Sequence, residues 1–346
     1  MSETFHAVTS QHRAAPDVVV FGTGSIGMRH ARVFRDLVGA RTILVSKRRG
    51  RWAELEADGW DTCSSLEQAV TPGALVVVTG ETADHVADGI AAIESGAGAV
   101  LIEKPLAPDA AAAALLNNAA NEIAGRLYVG CNLRFDAGIQ RFRQLLQQIG
   151  AVHHVRIEAQ SYLPEWRPLR DYRDSYSASG EQGGVLRDLV HEIDYAVWLF
   201  GRPQEVSGWL TNSGRLEILA EESADVVWRM PEGGTVSLRL DYVTRQCRRR
   251  MTAYGAEGEL TWDMPTHVVS LRKDGLALSE ECPQERDEMM RSQALAFLSS
   301  ARGEGAGALA TLEEGVFVMA VCDAARASSS SGSAERVSAF LEEAKR

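Results

Sequence analysis

The sequence of 346 residues predicts an α/β protein, with an N-terminal doubly wound parallel sheet and a second domain built on a large, mainly antiparallel open sheet. Three observations indicate this architecture. Short apolar runs alternate with helix-like segments up to residue 132, and the first run ends in closely spaced glycines. Beyond residue 133 several runs alternate apolar with polar residues, as a sheet with one solvated face requires.

The first element is the apolar run Val18–Phe21, which ends in glycines and opens a helical pattern. A dinucleotide pyrophosphate needs close backbone approach and free N–H groups at a helix N-terminus, and a G-x-G-x-x-G turn supplies both. An ordinary strand, turn and helix is the alternative, but the flanking strand and helix favour dinucleotide binding in a Rossmann domain. The turn supplies the candidate cofactor-binding residues Gly22, Gly24, Ser25, Ile26 and Gly27.

The end of the second predicted strand, Arg41–Ser46, indicates which dinucleotide is bound. An NAD site usually places an acid there, which accepts from the ribose hydroxyls, whereas a 2′-phosphate requires basic donors. Here Ser46, Lys47, Arg48 and Arg49 follow one another, and no acid occurs before Glu54. We therefore expect NADP(H), with NAD(H) as the alternative if the segment is only a solvated basic turn.

Two further strand ends of the first sheet carry candidate cofactor-binding residues. The runs Ala74–Thr79 and Ala99–Ile102 are continuously apolar, as in parallel strands buried on both faces. Ligands of open α/β sheets bind beyond the carboxyl ends of such strands. The candidates are Thr79, His85, Glu103 and Lys104. A histidine such as His85 more often caps or lines a helix start, so we assign it no chemistry.

The remaining elements divide the chain. Helices are predicted at 52–58, from 81, and at 109–122, 137–148, 285–301 and 312–328, with a flexible turn at 328–333 before a last short helix. Further strands are predicted at 127–130, 152–162, 205–211, 225–230, 235–242, 249–254 and 259–262. We therefore expect a polar tail at 1–16, a dinucleotide-binding domain at 17–132, and a substrate-binding and oligomerisation domain at 133–346.

A second chemical cluster lies on the segment Gly183–Gly201, which predicts one glycine-led helix ended by Gly201. Asp188, His191 and Asp194 recur on it at every third position, so we expect their side chains to be neighbours. A carboxylate fixes the tautomer of a histidine and raises its basicity, and a pKa of about 6.5 suits proton transfer. These three residues are candidate catalytic groups. An ordinary polar helix face is the alternative, and the sequence offers no ligand cluster that favours a metal.

Composition excludes several classes of partner. The net charge of −11 argues against nucleic acid or an anionic membrane surface. No run approaches the roughly 18 apolar residues of a membrane span. The five cysteines are scattered and never form a C-x-x-C pair, which is typical of reduced thiols. Together these features predict a cytoplasmic protein without a signal peptide.

The combination of motifs resembles the Gfo/Idh/MocA family of oxidoreductases, over nearly the whole chain after the tail. The resemblance rests on the glycine turn, on Glu103-Lys104-Pro105 and on the D-x-x-H-x-x-D segment, together with Asn132–Phe135 and Leu312–Gly315. It implies a Rossmann domain and an α/β domain whose open sheet often mediates homodimers or homotetramers. It also implies NAD(P)-linked oxidation of a sugar or cyclitol hydroxyl, or the reverse reduction. By position, Lys104 resembles the active-site lysine and His191 the general acid/base.

The sequence departs from the family pattern at the catalytic aspartate. The family commonly places this Asp four residues before the His, whereas Asp188 lies three residues before His191 and Arg187 occupies the fourth position. Either Asp188 or Asp194 is therefore left to orient the imidazole.

The segment Tyr162–Pro168 resembles a family subgroup often suspected of acting in unusual-sugar or surface-polysaccharide biosynthesis. Its aromatic rings can stack on a sugar, and its guanidinium groups can clamp a phosphate or carboxylate. A packed inter-domain loop is the alternative. The candidate substrate-binding residues are Arg134, Tyr162, Trp166, Arg167, Tyr176 and His191.

Two other functions remain open at this level: a glycosidase-type enzyme that retains its cofactor, and a non-catalytic cofactor-binding sensor. The presence of both Lys104 and His191 argues against the sensor, because binding alone requires neither. Net hydride transfer distinguishes the dehydrogenase from both.

Overall fold

The computed structural model describes residues 17–46, 51–180 and 183–344. Within these residues the chain forms two sheets, one of seven strands and one of nine, with helices packed against both. The predicted fold class is therefore confirmed.

The first sheet is parallel from β1 to β6, and its order is β15-β6-β5-β4-β1-β2-β3. Its strands are β1 Val18–Phe21, β2 Thr42–Val45, β3 Asp61–Cys63, β4 Leu75–Val78, β5 Ala99–Ile102, β6 Leu127–Val129 and the short antiparallel β15 Ala310–Thr311. Its helices are α1 Ser25–Arg32, continued by a π-helical turn Val33–Val38, then α2 Trp52–Ala57, α3 Leu66–Ala69, α4 His85–Glu94, α5 Ala110–Ala114 and α6 Leu116–Glu122. Strands β4 and β5 are buried along their whole length, because helices cover both faces of the sheet.

The second sheet is mainly antiparallel, and β7 and β10 are its parallel pair. In the order β14-β13-β12-β11-β7-β10-β9-β8-β16, its strands are Leu276–Glu281, Val268–Lys273, Gly258–Asp263, Val243–Gly255, Val152–Tyr162, Thr235–Asp241, Ser223–Arg229, Glu205–Thr211 and Glu335–Arg336. Buried and partly exposed residues alternate along β9 and β10, so one face of these strands packs on the core.

The remaining helices are α7 Ala137–Leu145, α8 Val185–Asp188, α9 Val190–Phe200, α10 Arg286–Ala301, α11 Leu312–Ser331 and α12 Val337–Glu343. Helix α10 comes late in the chain but packs on the first sheet, where Phe297 and Met290 share a core with Val18 and Val20. Residues 133–346 therefore do not all belong to the second sheet.

Two expectations about individual elements were wrong, and two strands were missed. Strands β13 and β14 were not predicted, because charged residues interrupt their apolar pattern. The expected turn at 328–333 is helical as far as Ser331, and α11 ends at Gly332 in the left-handed conformation. The expected single helix after Gly184 is broken at Leu189, whose φ and ψ are −98° and 32°.

Candidate active site

The glycine turn has the geometry that a pyrophosphate requires. Gly22 has φ +114°, and a Cβ there would lie 2.6 Å from Thr79 Oγ1. A Cβ at Gly27 would overlap the carbonyl oxygen of Gly22, whereas a Cβ at Gly24 meets nothing within 4 Å. The turn therefore packs tightly on the protein side and is open at Gly24, next to the N-terminus of α1 at Ser25 and Ile26.

Thr79, which directly follows β4, contacts this turn through its hydroxyl. Its hydroxyl lies 3.1 Å from the carbonyl oxygens of both Phe21 and Gly22, within hydrogen-bonding distance of each. The threonine thereby positions the glycine turn, a role that the sequence pattern alone did not reveal.

At the end of β2, Ser46 is buried and its hydroxyl lies 2.8 Å from that of Thr23 in the glycine turn. Lys47, Arg48 and Arg49, expected to select the 2′-phosphate, lie outside the described residues. Arg51, which was not predicted as a site residue, donates from Nη1 to the carbonyl oxygen of Thr23 at 2.6 Å. This cation connects the segment after β2 to the glycine turn.

Glu103 and His85, which were predicted as cofactor-binding residues, both have protein partners. The buried carboxylate of Glu103 lies 2.7 Å from His30 Nε2 and accepts from the main-chain N–H of Lys104. Buried His85 places Nδ1 2.8 Å from the carbonyl oxygen of Pro105. Both side chains therefore help to hold the segment that carries Lys104.

Lys104 reaches from β5 to the junction between α8 and α9. Its Nζ donates to the main-chain carbonyl oxygen of Asp188 at 2.9 Å. In a continuous helix this oxygen would accept from the N–H of Glu192. Because of the break at Leu189, that N–H donates to Leu189 instead, which leaves the Asp188 carbonyl for Lys104.

The carboxylate of Asp188 binds two tyrosines and not His191. Tyr176 and Tyr242 both donate their hydroxyls to it. Burial and the Asp188 charge raise the pKa of both tyrosines, which keeps them protonated donors. The expected pairing of Asp188 with His191 is therefore not formed, because the two carboxylate oxygens accept from the two tyrosines.

Asp194, predicted as a catalytic group, and Arg134, predicted to bind substrate, form a buried ion pair. Arg134 donates from Nε and NH2 to the two oxygens of Asp194 at 2.9 and 2.7 Å, and from NH1 to Glu314 at 3.0 Å. The guanidinium is 1% exposed and lies 5.3 Å from the ring centroid of Trp198. The structure therefore pairs Asp194 with Arg134 and not with His191.

His191 is 8% exposed, and in the described part of the chain its Nδ1 is buried without a hydrogen-bond partner. Burial, followed by the positive charges of Lys104, Arg249 and Arg286, lowers the pKa of His191 well below 6.5. The imidazole is therefore unprotonated at neutral pH and can accept a proton.

The aromatic loop after β7 lies partly against this site. The ring of Trp166 meets that of Tyr242 edge-on at 5.4 Å, and its Nε1 donates to Ser161 at 2.9 Å. Tyr162 instead stacks with Arg245, whose guanidinium carbon lies 3.9 Å from the centroid of the tyrosine ring. Arg167 is exposed and acts on Tyr176 through its charge. Trp166, Arg167 and Tyr176 thus each interact with Asp188 or with one of the two tyrosines that bind it.

In the described residues, no group of three or more His, Cys, Asp or Glu side chains is arranged to hold a metal ion. The helices described there include none that is long and apolar enough to cross a bilayer.

Two protein-family models match the chain. Residues 17–131 match "Oxidoreductase family, NAD-binding Rossmann fold", and residues 139–261 match "GFO/IDH/MocA C-terminal domain". A curated relative, the inositol 2-dehydrogenase of Rhizobium meliloti (strain 1021), is 28% identical over 189 residues. This match covers 53% of the chain and 54% of the relative, so it spans about half the length of each.

Several solved structures have the same fold. A levoglucosan dehydrogenase in complex with NADH superposes with a TM-score of 0.81 at 16% identity, over 93% of this chain and 99% of that one. An oxidoreductase domain protein from Kribbella flavida gives 0.82 at 21% identity, over 94% and 100%. A UDP-N-acetylglucosamine 3-dehydrogenase from Acidithiobacillus ferrooxidans gives 0.74 at 19% identity, over 90% and 97%. At these identities the likeness shows the fold alone.

Proposed function

The chain belongs to the Gfo/Idh/MocA family of NAD-binding oxidoreductases, and on this basis we propose that it is an NAD(P)-dependent dehydrogenase of a sugar, a cyclitol or a sugar derivative. The names of its relatives support this substrate class, since they include dehydrogenases of inositol, levoglucosan and a nucleotide sugar.

The observation that carries the proposal is the approach of Lys104 to the His191 helix. Lys104 Nζ lies 2.9 Å from the carbonyl oxygen of Asp188, three residues before His191, and its charge acts on the imidazole. A cation and an unprotonated imidazole thus lie together beyond the carboxyl end of β5, where open α/β sheets bind their ligands.

The bound nicotinamide supplies the hydride acceptor in oxidation and the donor in reduction. The open approach at Gly24 and the N-terminus of α1 fit its pyrophosphate. In oxidation His191 takes the proton from the substrate hydroxyl, while Lys104 stabilises the negative charge that develops on the oxygen. Trp166, Arg167 and Tyr176 contact the substrate, and the Asp188 carboxylate positions Tyr176.

We propose NADP(H) as the preferred cofactor. The described end of β2 carries Ser46 rather than an acid, and the sequence continues with Lys47, Arg48 and Arg49. We also propose a cytoplasmic homodimer or homotetramer that uses the open second sheet. The five cysteines, which form no disulfide, are consistent with a reducing compartment.

The experiment follows nicotinamide absorbance with the purified protein and NADP or NAD. The panel contains free sugars, cyclitols, sugar acids and nucleotide sugars. Turnover of one class, abolished in His191→Ala, would support the proposal. Bound cofactor with no net change of absorbance across the panel would refute it and favour a cofactor-retaining glycosidase or a sensor.

A further inference from the structure

The carboxylate of Glu103 connects helix α1 to Lys104. Its Oε1 lies 2.7 Å from Nε2 of His30, in α1, and its Oε2 accepts from the main-chain N–H of Lys104 at 3.1 Å. Both the imidazole and the carboxylate are buried. Strand β5 ends at Ile102, so the N–H of Lys104 lies beyond the strand and takes this side chain as its acceptor.

The protonation state of the pair follows from its surroundings. Burial raises the pKa of Glu103, but the hydrogen bond from His30 and the charges of His30 and Lys104 outweigh this effect, so the pKa lies below its usual value. At neutral pH the group is therefore a carboxylate, which only accepts hydrogen bonds, and Nε2 of His30 carries the proton between them. Without this donor the buried carboxylate would be partly unsatisfied and would gain by turning toward another donor.

The packing around the pair restricts both side chains. Gly130, which follows β6, makes room for the carboxylate, since a Cβ there would lie 3.0 Å from Oε1 of Glu103. The ring of His30 in turn stacks on that of Phe34, with 6.5 Å between the ring centroids. Glu103 is therefore confined between the end of β6 and α1, where it meets His30.

The position of Lys104 depends on a few such contacts. Its Nζ donates to the main-chain carbonyl oxygen of Asp188 at 2.9 Å, and its main-chain N–H donates to Glu103. The carbonyl oxygen of the next residue, Pro105, lies 2.8 Å from Nδ1 of His85. Of these contacts, the one through Glu103 leads to α1.

We propose that His30 is a positioning residue for Lys104 and acts through the carboxylate of Glu103. His30 belongs to α1, whose N-terminus at Ser25 fits the cofactor pyrophosphate, so one helix places both the cofactor and the lysine. A displacement of about 1 Å can cost about 100-fold in rate, so a lysine that stabilises developing charge depends on such support. This inference rests on the proposed dehydrogenase function.

The kinetic test compares two substitutions of His30, with saturating cofactor and the substrate that the panel identifies. His30→Leu removes the donor, and we expect it to lower kcat about 10–100-fold. His30→Gln keeps an N–H donor at a similar reach, so it should recover most of this loss. Neither should change the dissociation constant of the cofactor more than about threefold, because the glycine turn is untouched. Arg29→Gln is the matched control: it removes the neighbouring contact of α1 with Asp287, at 2.8 Å, and should leave kcat unchanged.

Glu103→Gln tests the same connection from its other end, and it still does so if His30→Leu does not fold. The neutral amide has one oxygen for two donors, so kcat should fall by a similar factor. Because both substitutions break one connection, the double variant should lose about as much as the more damaging single one.

A labelling measurement tests the position of Lys104 without turnover. Acetic anhydride acetylates lysine amines, and mass spectrometry of the peptides gives the rate at each lysine of the folded protein. Lys273 is the internal control, because its Nζ also donates to a main-chain carbonyl oxygen at 2.9 Å, that of Gln148. We expect His30→Leu to raise the rate at Lys104 about fivefold or more, since the segment opens more often, with no change at Lys273. His30→Gln should keep the rate at Lys104 near that of the unmodified protein.

Normal kcat in both His30→Leu and Glu103→Gln would contradict the inference. So would a loss in His30→Leu that His30→Gln does not recover, since the imidazole would then act through its ring packing. A rise in labelling at both Lys104 and Lys273 would also overturn the inference, because it would report a general loosening of the fold. If no substrate of the panel is turned over, the proposed function fails, whereas the labelling rates still decide whether His30 positions Lys104.

Discussion

The ammonium group of Lys104 donates a hydrogen bond to the main-chain carbonyl oxygen of Asp188, at 2.9 Å. The oxygen is available because the helix breaks at Leu189 and the N–H of Glu192 turns to the Leu189 carbonyl. Because of the break, this hydrogen bond can connect the end of β5 to the helix that carries His191. The relationship uses the main chain of Asp188, so it does not depend on that residue's carboxylate.

Removal of either proposed catalytic group should abolish most turnover. We expect His191→Ala and Lys104→Met to lower kcat about 10²–10⁴-fold, the range typical of a lost acid/base or electrostatic group. The dissociation constant of the reduced cofactor, measured by its fluorescence, should change less than about twofold in His191→Ala because the glycine turn is untouched. Turnover close to normal in both variants would contradict these roles.

Oxidation should retain its full rate at a lower pH than an ordinary histidine would allow. The pKa of His191 is lowered below 6.5 by burial and by three positive charges, so the basic form persists as the pH falls through 6.5. The acid limb of the kcat/KM profile should therefore have its midpoint below 6.5. Arg286→Gln removes one of these charges and should move the midpoint upward. A midpoint at or above 6.5 in the unmodified protein would contradict this electrostatic account.

Asp188→Asn should reduce activity less than His191→Ala, because the oxygen that binds Lys104 belongs to the main chain. The neutral amide has only one oxygen that can accept from the two tyrosine hydroxyls. We therefore expect the free energy of unfolding to fall by about 1–3 kcal/mol. Denaturant unfolding and steady-state kinetics on the same preparation check both parts. A loss of kcat equal to that of His191→Ala, in a fully folded variant, would instead make Asp188 a catalytic group.

Arg134 should matter for stability rather than for substrate affinity. Arg134→Met leaves the buried Asp194 carboxylate without its partner, which typically costs about 3–5 kcal/mol of unfolding free energy. Arg143→Met is the matched control, because exposed Arg143 lies 4.5 Å from the ring centroid of the same Trp198 and should cost less than about 1 kcal/mol. The double variant Arg134→Met/Asp194→Asn should recover part of the loss. Equal stability of the Arg134 and Arg143 variants would refute the assignment.

Arg48→Ala/Arg49→Ala should weaken NADPH binding much more than NADH binding, because only NADPH carries the 2′-phosphate. Because the double variant would lose two charged hydrogen bonds to this phosphate, we expect the NADPH dissociation constant to rise roughly tenfold or more. Arg51→Ala is the control: Arg51 binds the Thr23 carbonyl of the glycine turn, so its loss should affect both cofactors alike. Equal effects of the double variant on both cofactors would contradict the NADP(H) preference.

Sequence patterns predicted the fold where local chemistry and tertiary structure agree. Gly22 needs its positive φ and Gly27 leaves no room for a side chain, so the glycine spacing was informative by itself. The continuous apolar runs at β4 and β5 require burial on both faces, which a parallel sheet provides. Strands β13 and β14 escaped prediction because their exposed charged residues hide the alternation.

Within the site, Lys104 and His191 were predicted from the family resemblance, whereas the partners of the Asp188 and Asp194 carboxylates differ from the predicted ones. Spacing along a helix predicts neighbours only if the helix is continuous, and the break at Leu189 removes that premise.

The sequence by itself determined the fold class and the dinucleotide-binding turn, because each follows from local backbone or side-chain requirements, and its family resemblance indicated Lys104 and His191. The tertiary structure alone decided which charges meet. Asp194 binds Arg134, 60 positions away, and Asp188 binds Tyr242, 54 positions away. Such pairings are selected by burial, since a buried carboxylate takes the donor that packing brings to it rather than the nearest one along the chain.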